Sequence, residues 1–172
     1  MALTYVAIAT VTVGSGGASS MEFTSIPATY TDLVILASTR GASGNLNSWI
    51  VVGFNSNTSN YSNRILINSS GTVVSSAPTD NPPLAGALTP SDRTASVFSN
   101  NLIYIPNYAG SNNKSFSVDG VDENNGSAII QGLLAPLWSN SSAITSIQIT
   151  TQGAGNFAQY STATLYGIKN TV

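Results

Sequence analysis

Seven residues carry a carboxylate side chain, and three of them crowd into "SVDGVDENN": Asp119, Asp122 and Glu123. Clustered carboxylates do two kinds of chemistry. A pair facing each other across a sugar, roughly 5–10 Å apart, can cleave a glycosidic bond. A set of oxygens at suitable spacing can hold a divalent cation. The spacing here argues against both. On a strand, Asp122 and Glu123 point to opposite faces. The pattern Asp-x-x-Asp-Glu-Asn lacks the spacing of a calcium loop. Asp119-Gly120 is a favoured hairpin dipeptide and predicts a turn there. Asp119 then supplies turn geometry, and Asp122, Glu123, Asn124 and Asn125 solvate a loop. No catalytic, cofactor-binding or metal-binding residue is expected, and no cofactor.

The other candidates also read as structural. Asp32 precedes an apolar run and is placed to cap a turn or pair with Arg40. Asp80 and Asp92 lie in a Pro-rich stretch, with Asp92-Arg93 as a solvated loop end. Trp49 and Trp138 fall in apolar segments and are expected in the core. Tyr61, Tyr104, Tyr108 and Tyr160 sit near expected strand ends. Aromatic rings beside Asn and Asp can form a sugar-binding platform, but packing alone also puts aromatics in strands.

Composition excludes several classes of function. Charged residues make up 7% of the 172-residue chain, with a formal net charge of −2. The basic residues Arg40, Arg64, Arg93, Lys114 and Lys169 are scattered, so no cluster exists to displace counterions from nucleic acid. No apolar run is long enough to cross a bilayer as a helix. Cysteine and histidine are absent, which removes the usual ligands of zinc, copper, haem and iron–sulfur centres. A Ser-His-Asp or Cys-His nucleophile is impossible for the same reason. Ser, Thr, Asn and Gly replace charge, so the surface is neutral and polar, which suits a protein covered by partners and equally a secreted or particle-borne domain. Asn-x-Ser/Thr sequons at Asn57, Asn60, Asn113 and Asn140 arise by chance in so Asn- and Ser-rich a chain.

The elements around these residues read as strands. "MALTYVAIATVTV" lacks the basic start of a signal peptide and alternates, with Leu3, Tyr5, Ala7, Ala9, Val11 and Val13 on one side. "MEFTSI", "TDLVILAST" and "SWIVVGFN" follow, the second as a strand buried on both faces. "NRILINSS" and "TVVSS" form a hairpin about Ser69-Ser70-Gly71. Residues 76–93 form a long Pro-rich connection without strand pairing, in which "LAGAL" could make one helical turn. "TASVFSNNLIYIPN", "KSFSVDGVDE", "SAIIQGLLAPLW", "AITSIQITTQ" and "STATLYGIK" complete the chain. The expectation is an all-β protein: a single jelly-roll-like β-sandwich domain over 1–172, of about eight to ten strands, with the 76–93 loop internal.

Three segments, "FTSIPATYTDLVI", "NLIYIPNYAGSNNKSFSVDGVDENN" and "STATLYGIK", resemble short β-rich virion structural proteins of tailed bacteriophages of aquatic bacteria. Residues 41–93 depart most from the pattern. The resemblance implies a non-enzymatic role in the virion, made in the bacterial host cytoplasm. Two placements follow from it. One is a capsid decoration or cement protein contacting the major capsid protein. The other is a tail-fibre or tail-tip protein whose loops "GASGNLNS" and "NSNTSNYSN" read host surface glycans. The sparse charge also leaves strand edges poorly protected, so self-association is expected, as a homotrimer. Neither nucleic acid nor membrane is an expected partner.

Overall fold

The structure, a computed structural model, describes residues 4–44, 48–79, 81–126 and 129–169. Among the described residues there are fifteen strands and no helix. They are β1 (Thr4–Thr12), β2 (Ser20–Phe23), β3 (Asp32–Thr39), β4 (Trp49–Phe54), β5 (Tyr61–Ser62), β6 (Ile65–Ser69), β7 (Thr72–Ser76) and β8 (Leu84–Ala87). There follow β9 (Ser99–Pro106), β10 (Lys114–Ser115), β11 (Ser117–Asp122), β12 (Ile130–Leu134), β13 (Leu137–Trp138), β14 (Ile147–Thr151) and β15 (Thr162–Lys169). The excess over the expected eight to ten comes largely from short pairings such as β5, β10 and β13, too brief to show a period.

An eight-stranded antiparallel sheet runs β1-β15-β3-β9-β11-β12-β6-β7. A four-stranded sheet, β2-β14-β4-β8, and a three-stranded one, β10-β13-β5, complete the fold. One hydrophobic cluster draws on all three: Leu33, Ile35, Ile103, Ile105, Val118 and Leu165 from the large sheet, and Met21, Ile50, Val52, Phe54, Ile149 and Trp138 from the smaller ones. An aromatic knot anchors one end. Phe54 lies 5.1 Å from Phe116 and 5.6 Å from Trp138, and Tyr61 stacks on Trp138.

Residues 23–35, 101–125 and 161–169 contribute most of β3, β9, β11 and β15, which are adjacent in the large sheet. Their loops interlock as well. The Tyr108 hydroxyl donates to the Pro27 carbonyl. The Tyr30 ring lies over Gly167, where a Cβ would meet it at 2.3 Å.

Four expectations are corrected here. Strand β1 does not bury the alternating set from Tyr5 to Ala9. A bulge between Ala7 and Ala9 breaks the period, and Ile8 and Val11 pack against the core instead, with Leu3 outside the described residues. Strand β3 is buried on both faces except at Leu36, which is exposed, and Ser38, which is half-buried.

The Pro-rich connection contains a strand and no helical turn: β8 is wholly buried and pairs with β4. Pro82, Pro83 and Pro90 flank β8 without entering it, so its four residues keep their N–H groups. Finally, Asp119-Gly120 is not a turn. Both residues lie mid-strand in β11, with Gly120 opposite Asn101 on one side and Gly132 on the other. Glycine is needed there because β8 crosses directly over it. A Cβ on Gly120 would stand 2.9 Å from the Ala87 nitrogen and 3.1 Å from Gly86 Cα.

Candidate interaction surface

The acidic cluster does not converge. Asp119 points out from the exposed face of β11, Asp122 is fully buried on the opposite face, and Glu123 is exposed in the loop beyond. Asp122 accepts hydrogen bonds from Thr89 Oγ1 at 2.6 Å and Asn124 Nδ2 at 3.1 Å. Asn124 is buried too, so these two residues tie the loop down rather than solvate it. Glu123 does behave as a loop residue, accepting the Asn125 N–H at 2.7 Å. Among the described residues, no group of three or more carboxylates stands close enough to hold a metal ion.

Asp122 belongs to a buried polar network under β8. Asn101 grips Ala87 with both ends of its amide: Oδ1 accepts the Ala87 N–H at 2.6 Å and Nδ2 donates to the Ala87 carbonyl at 3.0 Å. Thr39 and Ser99 hydroxyls donate to the same carbonyl at 3.2 and 2.8 Å. Gly86, at φ 135°, lies so close to Asn101 that a Cβ would meet Oδ1 at 2.3 Å. Arg40 closes the end of the network. Its guanidinium donates to the carbonyls of Ser91, Arg93, Thr94 and Val97 at 2.7–3.2 Å. Every one of these bonds satisfies backbone or a neighbour in the network, which is structural work.

Asp32 is not paired with Arg40. It accepts the Tyr104 hydroxyl at 2.8 Å and the Asn107 N–H at 2.9 Å, which fixes the turn after β9. Asp92 stands 3.7 Å from Arg93 Nε in a loop-end ion pair, and Asp80 is outside the described residues. Lys114 is buried, donating to the carbonyls of Gly110 and Asn112; burial lowers its pKa.

Tyr61, Tyr104, Tyr108 and Tyr160 do not gather on one surface. Tyr61 and Tyr108 are core residues, Tyr104 is half-buried against Asp32, and Tyr160 stands alone in solvent. Burial raises the Tyr61 phenol to about 12 and pushes Tyr104 and Tyr108 upward as well. Trp138 is buried as expected, while Trp49 is half-buried at the edge of the core.

The chemistry this molecule exposes is instead spread over the outer face of the large sheet. The strand registers place Thr164, Leu36, Leu102, Asp119, Leu133, Leu66 and Ser75 side by side in one row. Leu36, Leu102, Leu133 and Leu66 are 44%, 43%, 59% and 50% exposed. At the usual strand separation the row from Leu36 to Leu66 runs roughly 19 Å. Asp119 is the single charge within it. Leu66 and Leu133 also border two shallow apolar depressions of about 250 and 340 Å³. An in-register apolar row on a sheet face that meets solvent is a feature of interaction surfaces.

The sequence holds a faint trace of this row. Each leucine sits in an apolar run ("VILAS", "NNLIYI", "QGLLAP", "RILIN") where strict alternation would place a polar residue.

A second surface lies on the four-stranded sheet. A groove of about 450 Å³ is lined by Ser20, Gln148, Thr150, the 151–155 loop, Asn81 and Pro82. Thr151 closes that loop by accepting the Gly155 N–H at 2.8 Å and donating to its carbonyl at 2.9 Å. Glu22 adjoins the groove. Hydrogen bonds from Gln148 and then Ser20 lower its pKa.

No protein-family model matches the chain, and neither curated proteins nor solved structures include a detectable relative.

Proposed function

We propose that this chain is a non-enzymatic virion structural protein, a decoration or cement protein that reinforces the head of a tailed bacteriophage. In this reading the sheets form a single jelly-roll-like sandwich whose large outer sheet lies against the shell. The observation that carries it is the leucine row. Its four leucines are held in register by five strands and lie on a face with little charge. Such a face contributes apolar and neutral hydrogen-bonding area, and it discriminates by shape rather than charge. The resemblance of the central strands to short phage virion proteins supplies the identity of the shell. A cement subunit gains contact area only where neighbouring capsid subunits already meet, and several weak contacts made at once bind tightly.

The test is to add purified protein to emptied shells of the particle across a salt series and count bound copies. Binding is expected to persist at high salt, because apolar contact is not screened. Replacing Leu102 and Leu133 together by Ser should abolish it. Loss of wild-type binding at moderate salt overturns the proposed interface.

The neutral groove beside Gln148 and Thr150 favours one alternative, a tail-fibre or tail-tip protein binding host glycans. Its lining offers hydroxyl and amide groups suited to an uncharged sugar. Binding to host surface polysaccharide, without binding to shells, would establish that alternative.

A further inference from the structure

Among the described residues the large sheet ends in two edge strands, β1 and β7, and they are built differently. Strand β1 carries a bulge, a common device that interrupts an edge and blocks pairing. Strand β7, "TVVSS", has no bulge in its register with β6, no proline and no charge. All five of its residues are exposed, with Val73 at 70% and Val74 at 41%.

The turn before β7 fixes which of its backbone groups are free. Ser70 and Gly71 both have positive φ, 53° and 87°, as a two-residue type I′ loop requires. Such a loop closes on a hydrogen-bonded pair, here Ser69 and Thr72. Bonded and non-bonded pairs then alternate, so Val74 and Ser76 bond inward to β6. The N–H and C=O groups of Val73 and Ser75 point outward, and among the described residues no strand lies beyond them.

We infer that β7 pairs with β7 of a second copy, antiparallel, about a twofold axis through Val74. Centring the axis there matches all five residues. Val73 and Ser75 of one copy face Ser75 and Val73 of the other and exchange their free hydrogen bonds. The two Val74 side chains meet at the axis as a non-bonded pair, where side chains approach most closely. A neutral edge meets its own copy without like-charge repulsion, and a twofold contact closes on itself without open-ended growth. This pair is a twofold alternative to the threefold assembly expected from the sparse charge. The axis stands perpendicular to the sheet, so both leucine rows face one side. That arrangement deepens the decoration reading by making it bivalent. The pairing itself does not require that reading, and its test uses no shells.

The chain has no cysteine, so one introduced thiol reports one contact. Val74→Cys should form a disulfide-linked dimer under mild oxidation much faster than Ser76→Cys, whose twofold partner is Thr72. Val6→Cys on β1 should stay monomeric. Sedimentation of the unmodified chain should show a monomer–dimer equilibrium at high micromolar concentration. Ser75→Pro removes an outward N–H without touching the β6 ladder, and should weaken association about tenfold or more while leaving circular dichroism unchanged. Equal crosslinking at Val74→Cys and Ser76→Cys, preferential crosslinking through Val6→Cys, a trimer, or a monomer at every concentration would each overturn the inference. Shell binding that fails while the dimer forms would count against the decoration reading alone.

Discussion

Strands β8 and β7 are similar in length and lack charge, yet the fold treats them in opposite ways. Every residue of β8 is buried, and every residue of β7 is exposed. The small residues Ala85, Gly86 and Ala87 lie inside, while Val73 and Val74 lie outside. Burial here follows position rather than side-chain hydrophobicity. Strand β8 crosses over β11, where Gly86 and Ala87 leave room only for glycine at 120 and polar neighbours satisfy the Ala87 backbone. Strand β7 extends the large sheet to its last position, beyond the sheet that covers the centre. Mutational cost should therefore concentrate where β8 crosses and nearly vanish at β7.

The largest effect is expected at Gly120. Its mid-strand Cβ position is filled by the Ala87 nitrogen, the Asn101 side chain and Gly86 Cα, all at 2.9–3.1 Å. Gly120→Val must push backbone apart, at a cost of about 3 kcal/mol or more. Gly120→Ala should already destabilise substantially, because even one methyl group has no room. A chemical denaturation series measures this. A neutral Gly120→Ala would mean that β8 does not pass so close. The corresponding change on the hairpin, Ser75→Ala, meets only solvent and sets the baseline.

Asn101 comes next. Asn101→Leu keeps the approximate size but strips Ala87 of a donor and an acceptor at once. Leaving a buried N–H unpaired costs about 1–3 kcal/mol. The Ala87 carbonyl keeps Thr39 and Ser99, so the total should fall near about 2–3 kcal/mol. Asp122→Asn sharpens the same point, since it presents an amide to Thr89 and Asn124, which already donate to the carboxylate. It should cost about 1–2 kcal/mol, while Glu123→Gln at the exposed neighbouring position should cost almost nothing.

These sites show where the sequence could and could not be read. Apolar and alternating runs reveal the long strands β3, β9 and β15, and Ser70-Gly71 reveals the β6–β7 hairpin, because both signals are local. The meaning of Gly120 was not local. Asp-Gly is a favoured turn pair when nothing else constrains it, but here the glycine answers to β8, more than thirty residues earlier. The same holds for Asp122, whose partner Thr89 lies in the connection taken for a plain loop. The leucine row required register across five strands, which no single segment carries.

Alkaline pH tests the aromatic end of the core. The Tyr61 phenol, raised by burial to about 12, stays neutral in the folded chain. In the unfolded chain it ionises near its ordinary value of 10.0. Its contribution is thus complete below pH about 10 and is lost as pH rises toward about 12, by about 2 kcal/mol after allowing for partial solvent access. Tyr104 and Tyr108 shift in the same direction and add to the loss, whereas the lowered Lys114 works the other way. Denaturation midpoints should fall between pH 10 and 12, and Tyr61→Phe should flatten part of that fall. An unchanged slope in Tyr61→Phe would show that this phenol is not the group responsible.

The smallest effect is expected where the comparison began, at β7. Valine and threonine have nearly the same shape and similar strand preference, so Val→Thr mainly tests whether a hydroxyl can reach water. At Val73, 70% exposed, it can, and the change in stability of the isolated chain should stay within about 0.5 kcal/mol. At Val52, fully buried in β4, the same substitution places a hydroxyl in the core and should cost about 1–3 kcal/mol. Both variants should be measured at low concentration, so that association at the β7 edge does not contribute. Similar costs at the two sites would mean that the hairpin is covered in the folded monomer. The β7 edge would then be unavailable to a second copy.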